Sequence, residues 1–192
     1  MLRPNPPFSG HREVHVLVEV REGSPGDVAD IRDVNRRAFG HDQEANIVDA
    51  LRSNGGALLS LVATLNGRVV GHIMYSPISV TGQAAGAALG PMAVLPEHQR
   101  QGIGSRLVET GSRKLQGSGC PFIIVVGHPQ YYPRFGFRPA SAHGITCERE
   151  VPDDVCMLLV LDQSKLQAFS GLVKYRHEFS SLIGRRTRGC SR

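Results

Sequence analysis

A strand, a loop and a helix are predicted in direct succession by the sequence Leu89-Gly-Pro-Met-Ala-Val-Leu-Pro-Glu-His-Gln-Arg-Gln-Gly-Ile-Gly-Ser-Arg-Leu107. The strand, Ala87 to Leu95, stops at Pro96, because proline cannot continue a ladder of hydrogen bonds. The helix, Gln101 to Gly117, is indicated by apolar residues that recur at helical spacing along one face. Glycines therefore stand at the start of an amphipathic helix.

These glycines predict a binding site for an anion. Gly102 and Gly104 leave backbone N–H groups uncovered, and the first N–H groups of a helix have no partner within it. The helix dipole adds a partial positive charge, and Arg100 can add a side-chain charge. Such a site suits a pyrophosphate. Because the pattern is short, a purely structural turn is the alternative, and the pattern matches neither a Walker loop nor the three-glycine dinucleotide fingerprint.

The periodicities outside this segment predict a mixed sheet. Asn66-Gly67 between two apolar runs is the strongest local signal, and it predicts a hairpin. Phe122 to Val126 is a continuous apolar run, typical of a strand buried on both faces. The other predicted elements are strands at 14–20, 58–65, 68–80 and 157–161 and helices at 28–39 and 44–52. A hairpin meander followed by a strand–helix–strand unit implies an α/β (α+β) fold with helices on both faces of the sheet.

Length and composition favour one globular domain. The chain has 192 residues, of which 41% are hydrophobic and 20% charged, so it can bury a core. No apolar run is long enough to span a membrane, and the Pro-rich start lacks the apolar region of a signal peptide. We expect residues 1–12 to be a disordered segment, 13–183 to form the domain and 184–192 to be a basic disordered tail.

The net charge of +5 is concentrated near the C-terminus. Residues 165–192 hold seven basic residues and one acid, so the rest of the chain is close to neutral. Because nucleic-acid binding requires a basic face on the domain itself, a nucleic-acid partner is not expected. The tail is predicted to be solvated, with phosphate binding as the alternative.

The four cysteines are scattered, at positions 120, 147, 156 and 190. Their spacing argues against a structural zinc site and against a disulfide framework, so no metal is expected. Reduced thiols in a cytoplasmic protein are the expectation. Cys156, which stands among apolar residues, is expected to pack as a small hydrophobic side chain.

Two blocks of the sequence resemble the GNAT superfamily of acetyl-CoA-dependent N-acyltransferases. Gln99, Gly102 and Gly104 match the family's acetyl-CoA signature, and Tyr131-Tyr-Pro-Arg-Phe-Gly-Phe137 resembles its Y-x-x-x-G-F motif. The blocks lie in the family's order, with a helix and a buried strand between them. Residues 171–179 look like the C-terminal segment of a small bacterial branch of predicted acetyltransferases, so the resemblance covers residues 13–183.

The resemblance implies a binding mode for acetyl-CoA. A single GNAT-like domain has a mixed, mostly antiparallel sheet, and its central strands, here 89–95 and 122–126, splay apart to admit the pantetheine arm. Tyr132 is implied as the acid that protonates the leaving thiolate, with packing in the core as the alternative for this side chain. The residues implied to bind the cofactor are Met92, Ala93, Val94, Gln99, Arg100, Gln101, Gly102, Ile103, Gly104 and Ser105.

The group that deprotonates the amine is left open by the sequence. An alkylamine has a pKa of about 10.4, so a base or a water chain must remove a proton before the amine attacks. The candidates are Glu97, His72, His128, Glu44 and ordered water. Each side chain also has a structural interpretation: a solvated loop for Glu97, a strand hydrogen bond for His72, loop packing for His128 and an exposed helix face for Glu44. For Glu44, which lies in the helical region that usually closes over the substrate in the family that the chain resembles, amine recognition is the functional alternative.

The leading hypothesis is an N-acetyltransferase that moves an acetyl group from acetyl-CoA to a primary amine of a small molecule or a protein. The alternative is a non-catalytic acyl-CoA-binding or sensing module, because a fold does not fix a function. The sequence does not identify the amine. A homodimer is a further expectation from the resemblance, since family members are often dimers.

Overall fold

A computed structural model of the chain describes residues 18–148 and 150–180. The first part of the predicted N-terminal strand lies outside the described residues. So do the N-terminal segment 1–12 and the basic tail 184–192, whose expected disorder stays a prediction.

The described residues form nine strands and four α-helices. The strands are β1 (Val18–Glu22), β2 (Leu59–Leu65), β3 (Arg68–Val80), β4 (Gln83–Val94), β5 (Phe122–Val126), β6 (Arg138–Pro139), β7 (Ile145–Cys147), β8 (Cys156–Val160) and β9 (Gly171–Lys174). The helices are α1 (Val28–Phe39), α2 (Gln43–Ser53), α3 (Ile103–Gly117) and α4 (Gln163–Leu166). Short 3-10 turns join several of them, including Tyr132–Phe135 and His177–Phe179.

The strands of the described residues form one nine-stranded sheet in the order β1-β2-β3-β4-β5-β8-β6, with β9 paired to β3 and β7 paired to β9. Most neighbours are antiparallel, whereas β4–β5 and β7–β9 are parallel. This arrangement confirms the predicted mixed, mostly antiparallel sheet. The short strands β6, β7 and β9 were not predicted, because segments of two to four residues carry too little periodicity to be recognised.

The two central parallel strands separate after a short contact. β4 runs as far as Val94, but its register pairs with β5 are Ala87–Ile123 and Ala88–Ile124. In the described part of the chain, the second half of β4 therefore faces a gap on the side of β5. Backbone groups along that edge are left for another partner. The predicted splay is confirmed.

The helices α1 and α3 cover opposite faces of the sheet, as two side chains of β3 show. His72 points towards α1, where its ring lies 3.1 Å from the amide of Asn35. Tyr75 points towards α3, whose Gly111 leaves room for its ring, since a Cβ there would lie 2.3 Å from the phenol oxygen. Helices therefore lie on both faces, as predicted.

The start of α3 differs from the prediction by two residues. Arg100 has φ +60° and Gly102 has φ +81°, both in the left-handed region. Neither residue can continue a right-handed helix, so α3 begins at Ile103 instead of Gln101. The glycine thus turns the chain immediately before the helix.

The expectation of reduced thiols is wrong for two of the cysteines. Cys147 on β7 and Cys156 on β8 form a disulfide, with their Cα atoms 6.4 Å apart. The sequence analysis missed this disulfide because β7, which carries Cys147, was not predicted as a strand. Cys156 is buried, as expected, but as half of a bond, whereas Cys120 is a free thiol. The cytoplasmic location stays a prediction.

No helix in residues 18–148 and 150–180 is long and apolar enough to cross a membrane. Within the same ranges no group of three or more His, Cys, Asp or Glu side chains is placed to hold a metal ion.

Candidate active site

A cleft of about 570 Å³ lies where the end of β4 meets the start of α3. Eight of the residues expected to bind the cofactor line it: Met92, Ala93, Val94, Gln99, Arg100, Gly102, Gly104 and Ser105. Its opposite wall comes from Tyr131, Tyr132 and Arg134, in the turn after β5. The structure therefore brings the two sequence blocks together around one space, which we call the nucleotide cleft.

Two of the expected residues, Gln101 and Ile103, do not line this cleft. The side chain of Ile103 is buried in the core against β3, next to Gly71. The side-chain amide of Gln101 turns back and donates to the backbone carbonyl of Glu97 at 3.1 Å. Any contribution of these two residues to the cleft is limited to their backbone.

The loop before α3 is held in a shape that exposes backbone N–H groups. Gln99 Nε2 donates to the carbonyl of Val94 at 3.0 Å and ties the loop to the end of β4. Gly102 has open space where a side chain would stand, and a Cβ on Gly104 would lie 2.7 Å from the Tyr131 hydroxyl. With the helix dipole behind them, the first amides of α3 suit an anion.

Arg134 is a cleft residue that the sequence analysis missed. Its guanidinium carbon lies 4.0 Å above the ring of Tyr131, and Nη2 donates to Ser105 Oγ at 3.0 Å. It adds a second cation to the cleft beside Arg100. Arg134 could have been recognised from its position inside the block Tyr131 to Phe137, because this block faces the start of α3 across the cleft.

A second cavity of about 380 Å³ opens on the other side of the splayed strands. Its wall is mostly apolar, and it includes one carboxylate, that of Glu44 in the first turn of α2. Contributions come from the end of α1, from β4 and β5, and from the segment after β9. We call it the acceptor cavity; its lining includes Phe39, Glu44, Leu89, Pro91, Val125, Tyr175 and Phe179.

Met92, His128 and Tyr132 line both the nucleotide cleft and the acceptor cavity. Tyr132 is only 7% exposed, and its ring packs edge-on against Tyr131 and Phe137. Burial raises the pKa of the Tyr132 phenol, with a smaller contribution from Tyr131, so the hydroxyl keeps its proton at neutral pH. A protonated phenol at the junction of two cavities can donate to a group that becomes negative there.

The candidate bases separate into two groups. His128 and Glu44 line the acceptor cavity, whereas Glu97 is exposed and pairs with Arg37 at 2.8 Å. His72 is completely buried and lies 3.1 Å from both Asn35 Nδ2 and Ser60 Oγ. Burial, aided by the charge of Arg52, lowers the pKa of His72 to about 3. His72 is therefore a buried structural histidine rather than a cavity residue.

The wall at the C-terminal end of the acceptor cavity is anchored by a buried carboxylate. Glu178 has a side chain that is only 2% exposed, and it accepts a hydrogen bond from Arg176 Nη2 at 2.8 Å and another from Asn54 Nδ2. Burial by itself raises the pKa of Glu178, but bonds from Arg176, its own backbone N–H and Asn54 outweigh it and lower the pKa to about 2. The anchor fixes Tyr175 and Phe179 to the end of α2.

The family model described as "Acetyltransferase (GNAT) family" matches residues 28–137. The chain belongs to the GNAT acetyltransferase family. The matched range contains both sequence blocks, the whole lining of the nucleotide cleft and Glu44, but it ends before Tyr175 and Phe179. The family match therefore covers the whole cleft and most of the acceptor cavity, whose wall at Tyr175 and Phe179 lies beyond it.

GNAT proteins with known sequences and structures agree with this assignment. The chain is 40% identical over 134 residues to the N-acetyltransferase YjhQ of Escherichia coli K12, covering 67% of this chain and 74% of YjhQ. The crystal structure of E. coli YhbS, a GNAT N-acetyltransferase in complex with CoA, superposes with a TM-score of 0.85 at 31% identity, covering 95% of this chain and 99% of that one.

A GNAT acetyltransferase from Brucella melitensis, solved in complex with acetyl-CoA, gives a TM-score of 0.72 at 34% identity and covers 86% of this chain and 99% of that one. The chain described here is accordingly a GNAT-type N-acetyltransferase, as predicted from the two sequence blocks.

Proposed function

We propose that this enzyme transfers an acetyl group from acetyl-CoA to a primary amine by direct attack of the amine on the thioester. The observation that carries the proposal is the junction at Tyr132, His128 and Met92, where the nucleotide cleft opens into the acceptor cavity. A thioester held at this junction is accessible to an amine that arrives from the opposite side.

The cleft fits coenzyme A by its chemistry. The first amides of α3 face a space that also receives Arg100 and Arg134, which suits a diphosphate. The edge of β4 that faces the gap can pair with the amides of an extended pantetheine arm, as in β-augmentation. Acetyl-CoA supplies the activated acyl group, and the two relatives crystallised with CoA or acetyl-CoA support its use here.

In the proposed mechanism, the residues at the junction position the reactants and move protons. A backbone N–H of β4 near Val94 donates to the carbonyl oxygen as negative charge develops on it. His128, which lines both cavities, accepts the proton of the attacking amine, and Tyr132 donates its phenolic proton to the leaving thiolate. Alignment of the two reactants within one enclosed space contributes several kcal/mol on general grounds.

Calorimetric titration with CoA tests the proposal. The wild type should bind, and Gly104→Val should bind about tenfold more weakly or not at all, because its side chain meets Tyr131 and enters the cleft. Gly117→Val is the matched control at the far end of the same helix, where a Cβ meets nothing within 4 Å. Equal affinity for all three proteins, or absence of CoA binding by the wild type, would contradict the proposal.

The alternative of a non-catalytic acyl-CoA sensor makes a different prediction. A sensor would bind CoA but would not release its thiol in the presence of any amine. Thiol release from acetyl-CoA that depends on an added amine would exclude it.

A further inference from the structure

The acceptor cavity combines one carboxylate with aromatic and aliphatic walls. Phe39 closes it at the end of α1, Tyr175 and Phe179 close it at the C-terminal side, and Leu89 with Pro91 forms its floor on β4. Aromatic rings on separate elements enclose a flat apolar group better than a narrow alkyl chain. The wall therefore favours a substrate with an aromatic or compact apolar body.

Glu44 has the features of a partner for a cation. Its side chain is 12% exposed, and Oε2 is buried without accepting a hydrogen bond. In the described part of the chain its ion-pair partner is His41, whose Nδ1 lies 3.0 Å from Oε2 but lacks hydrogen-bond geometry. The His41 side chain is 55% exposed, so this contact is weak and leaves most of the negative charge of Glu44 for a cation that contacts its exposed part in the cavity.

The charges of the cavity exclude several classes of amine. Among the described residues that line it there is no Lys or Arg, so the carboxylate of a free amino acid would be buried next to Glu44 without a partner. A polyamine would bring further ammonium groups to a wall whose described residues offer one carboxylate. An aminoglycoside would bring many hydroxyls to the same apolar wall, in a cavity of about 380 Å³.

We propose that the acceptor is a small monoamine with an aromatic or compact apolar body, an arylalkylamine being the type case, and that Glu44 selects it by binding its ammonium group. This inference rests on the proposed acetyl transfer and adds the substrate class to it. Glu44 acts on recognition, whereas His128 and Tyr132 act on proton transfer. The aromatic body packs between Phe39, Tyr175 and Phe179.

Steady-state thiol release from acetyl-CoA tests the substrate class with four probes: phenethylamine, phenylalanine, spermidine and a short lysine-containing peptide. Phenethylamine should have a kcat/KM about tenfold or more above each of the others, because each of them buries an unpaired charge or polar backbone. A higher kcat/KM for phenylalanine, spermidine or the peptide, or no turnover of phenethylamine, would overturn the inference.

Glu44→Gln tests the role of the carboxylate. The KM for phenethylamine should rise about tenfold, while the KM for acetyl-CoA stays constant, because a charge-assisted bond becomes a neutral one. Glu44→Asp, which keeps the charge, should recover part of the loss. Glu109→Gln on the exposed face of α3 is the matched control and should change neither KM. An unchanged amine KM in Glu44→Gln would remove the assignment.

Titration of the same proteins with CoA distinguishes a failure of the substrate class from a failure of the proposed acetyl transfer. CoA binding together with the wrong amine preference would overturn the substrate class and leave acetyl transfer standing. Loss of CoA binding in the wild type would overturn both.

Discussion

The nucleotide cleft and the acceptor cavity meet at Tyr132, but they are built in different ways. The cleft is formed by two short stretches of chain, 92–105 and 128–134, and much of what it offers is backbone: the edge of β4 and the first turn of α3. The acceptor cavity is formed by side chains from segments as distant as Phe39 and Phe179. A backbone surface tolerates sequence change, whereas a side-chain surface changes with each substitution, so we expect substitutions to alter amine binding in the acceptor cavity more readily than CoA binding in the cleft.

The largest effect is expected at the residue that the two cavities share. Tyr132→Phe removes the phenolic hydroxyl and keeps the ring that packs on Phe137, so kcat should fall about a hundredfold with little change in either KM. Tyr131→Phe, which alters a hydroxyl that lines only the cleft, is the control and should keep most of the turnover. Measured by thiol release at saturating substrates, a wild-type kcat in Tyr132→Phe would show that Tyr132 has only a packing role.

A second test acts on the acceptor cavity alone. Glu178→Gln weakens the buried anchor to Arg176 and should lower the free energy of unfolding by about 2 kcal/mol. The amine KM should rise, because Phe179 and Tyr175 are held by the same segment, and CoA affinity should not change.

Glu22→Gln is the comparison for this substitution. Its pair with Lys114 is exposed, so the cost in unfolding free energy should stay below about 0.5 kcal/mol. Denaturant titration measures both variants. If Glu178→Gln weakened CoA binding as much as amine binding, the two cavities would not be independent.

A third test concerns a polar cluster that belongs to neither cavity. The folded-state pKa of His72 is lowered to about 3 by burial, so its contribution to stability is fully present above the ordinary histidine pKa and is lost as the pH falls below it. Unfolding free energy should drop by about 1 kcal/mol between pH 7 and pH 5.5, since the unfolded chain takes up a proton that the folded chain does not.

His72→Gln should remove this pH dependence while leaving CoA affinity and amine KM unchanged. Asp27 and Glu178, whose carboxyl pKa values are lowered, lose their contributions only at more acidic pH and do not interfere. A pH dependence that persisted in His72→Gln would have to come from another histidine.

The smallest effect is expected in the cleft, where backbone carries most of the binding surface. Arg134→Met should weaken CoA binding about threefold at low salt, and less at high salt, because this guanidinium is partly exposed and its charge is screened. Arg113→Met on the outer face of α3 is the control. A loss of CoA affinity of a hundredfold or more would show that side chains, and not the backbone, provide most of the CoA binding in the cleft.

Local signals were sufficient to predict the elements that build the cleft. The helix α1 and the strand β3 have the bounds that periodicity indicated, and Asn66 and Gly67 take the positive φ angles that an Asn-Gly hairpin requires. The loop before α3 was recognised because its glycines are needed at fixed positions along a few residues. Eight of the ten residues that the GNAT resemblance implied line the cleft, while the roles proposed for them remain predictions.

The acceptor cavity could not be predicted in the same way. Phe39, Glu44 and Phe179 come together only through the packing of α1, α2 and the C-terminal segment, which no spacing in the sequence records. The strand β9, which leads to this segment, has only four residues. His72 and Glu97 were candidate bases from their positions along the chain. The structure argues against His72 because it is completely buried, and against Glu97 because it is exposed in an ion pair with Arg37.

The Cys147–Cys156 disulfide makes the protein sensitive to the reducing agent in its buffer. Cys147 Sγ lies 3.2 Å from the hydroxyl of Tyr175, and the bond joins β8 to β7, the neighbour of the strand β9 that leads to the acceptor wall. A preparation kept in dithiothreitol and one kept without it are two chemical species that differ next to the amine site. Assays of amine preference should therefore state the thiol content of the buffer, and a free-thiol titration of each batch belongs beside its kinetics.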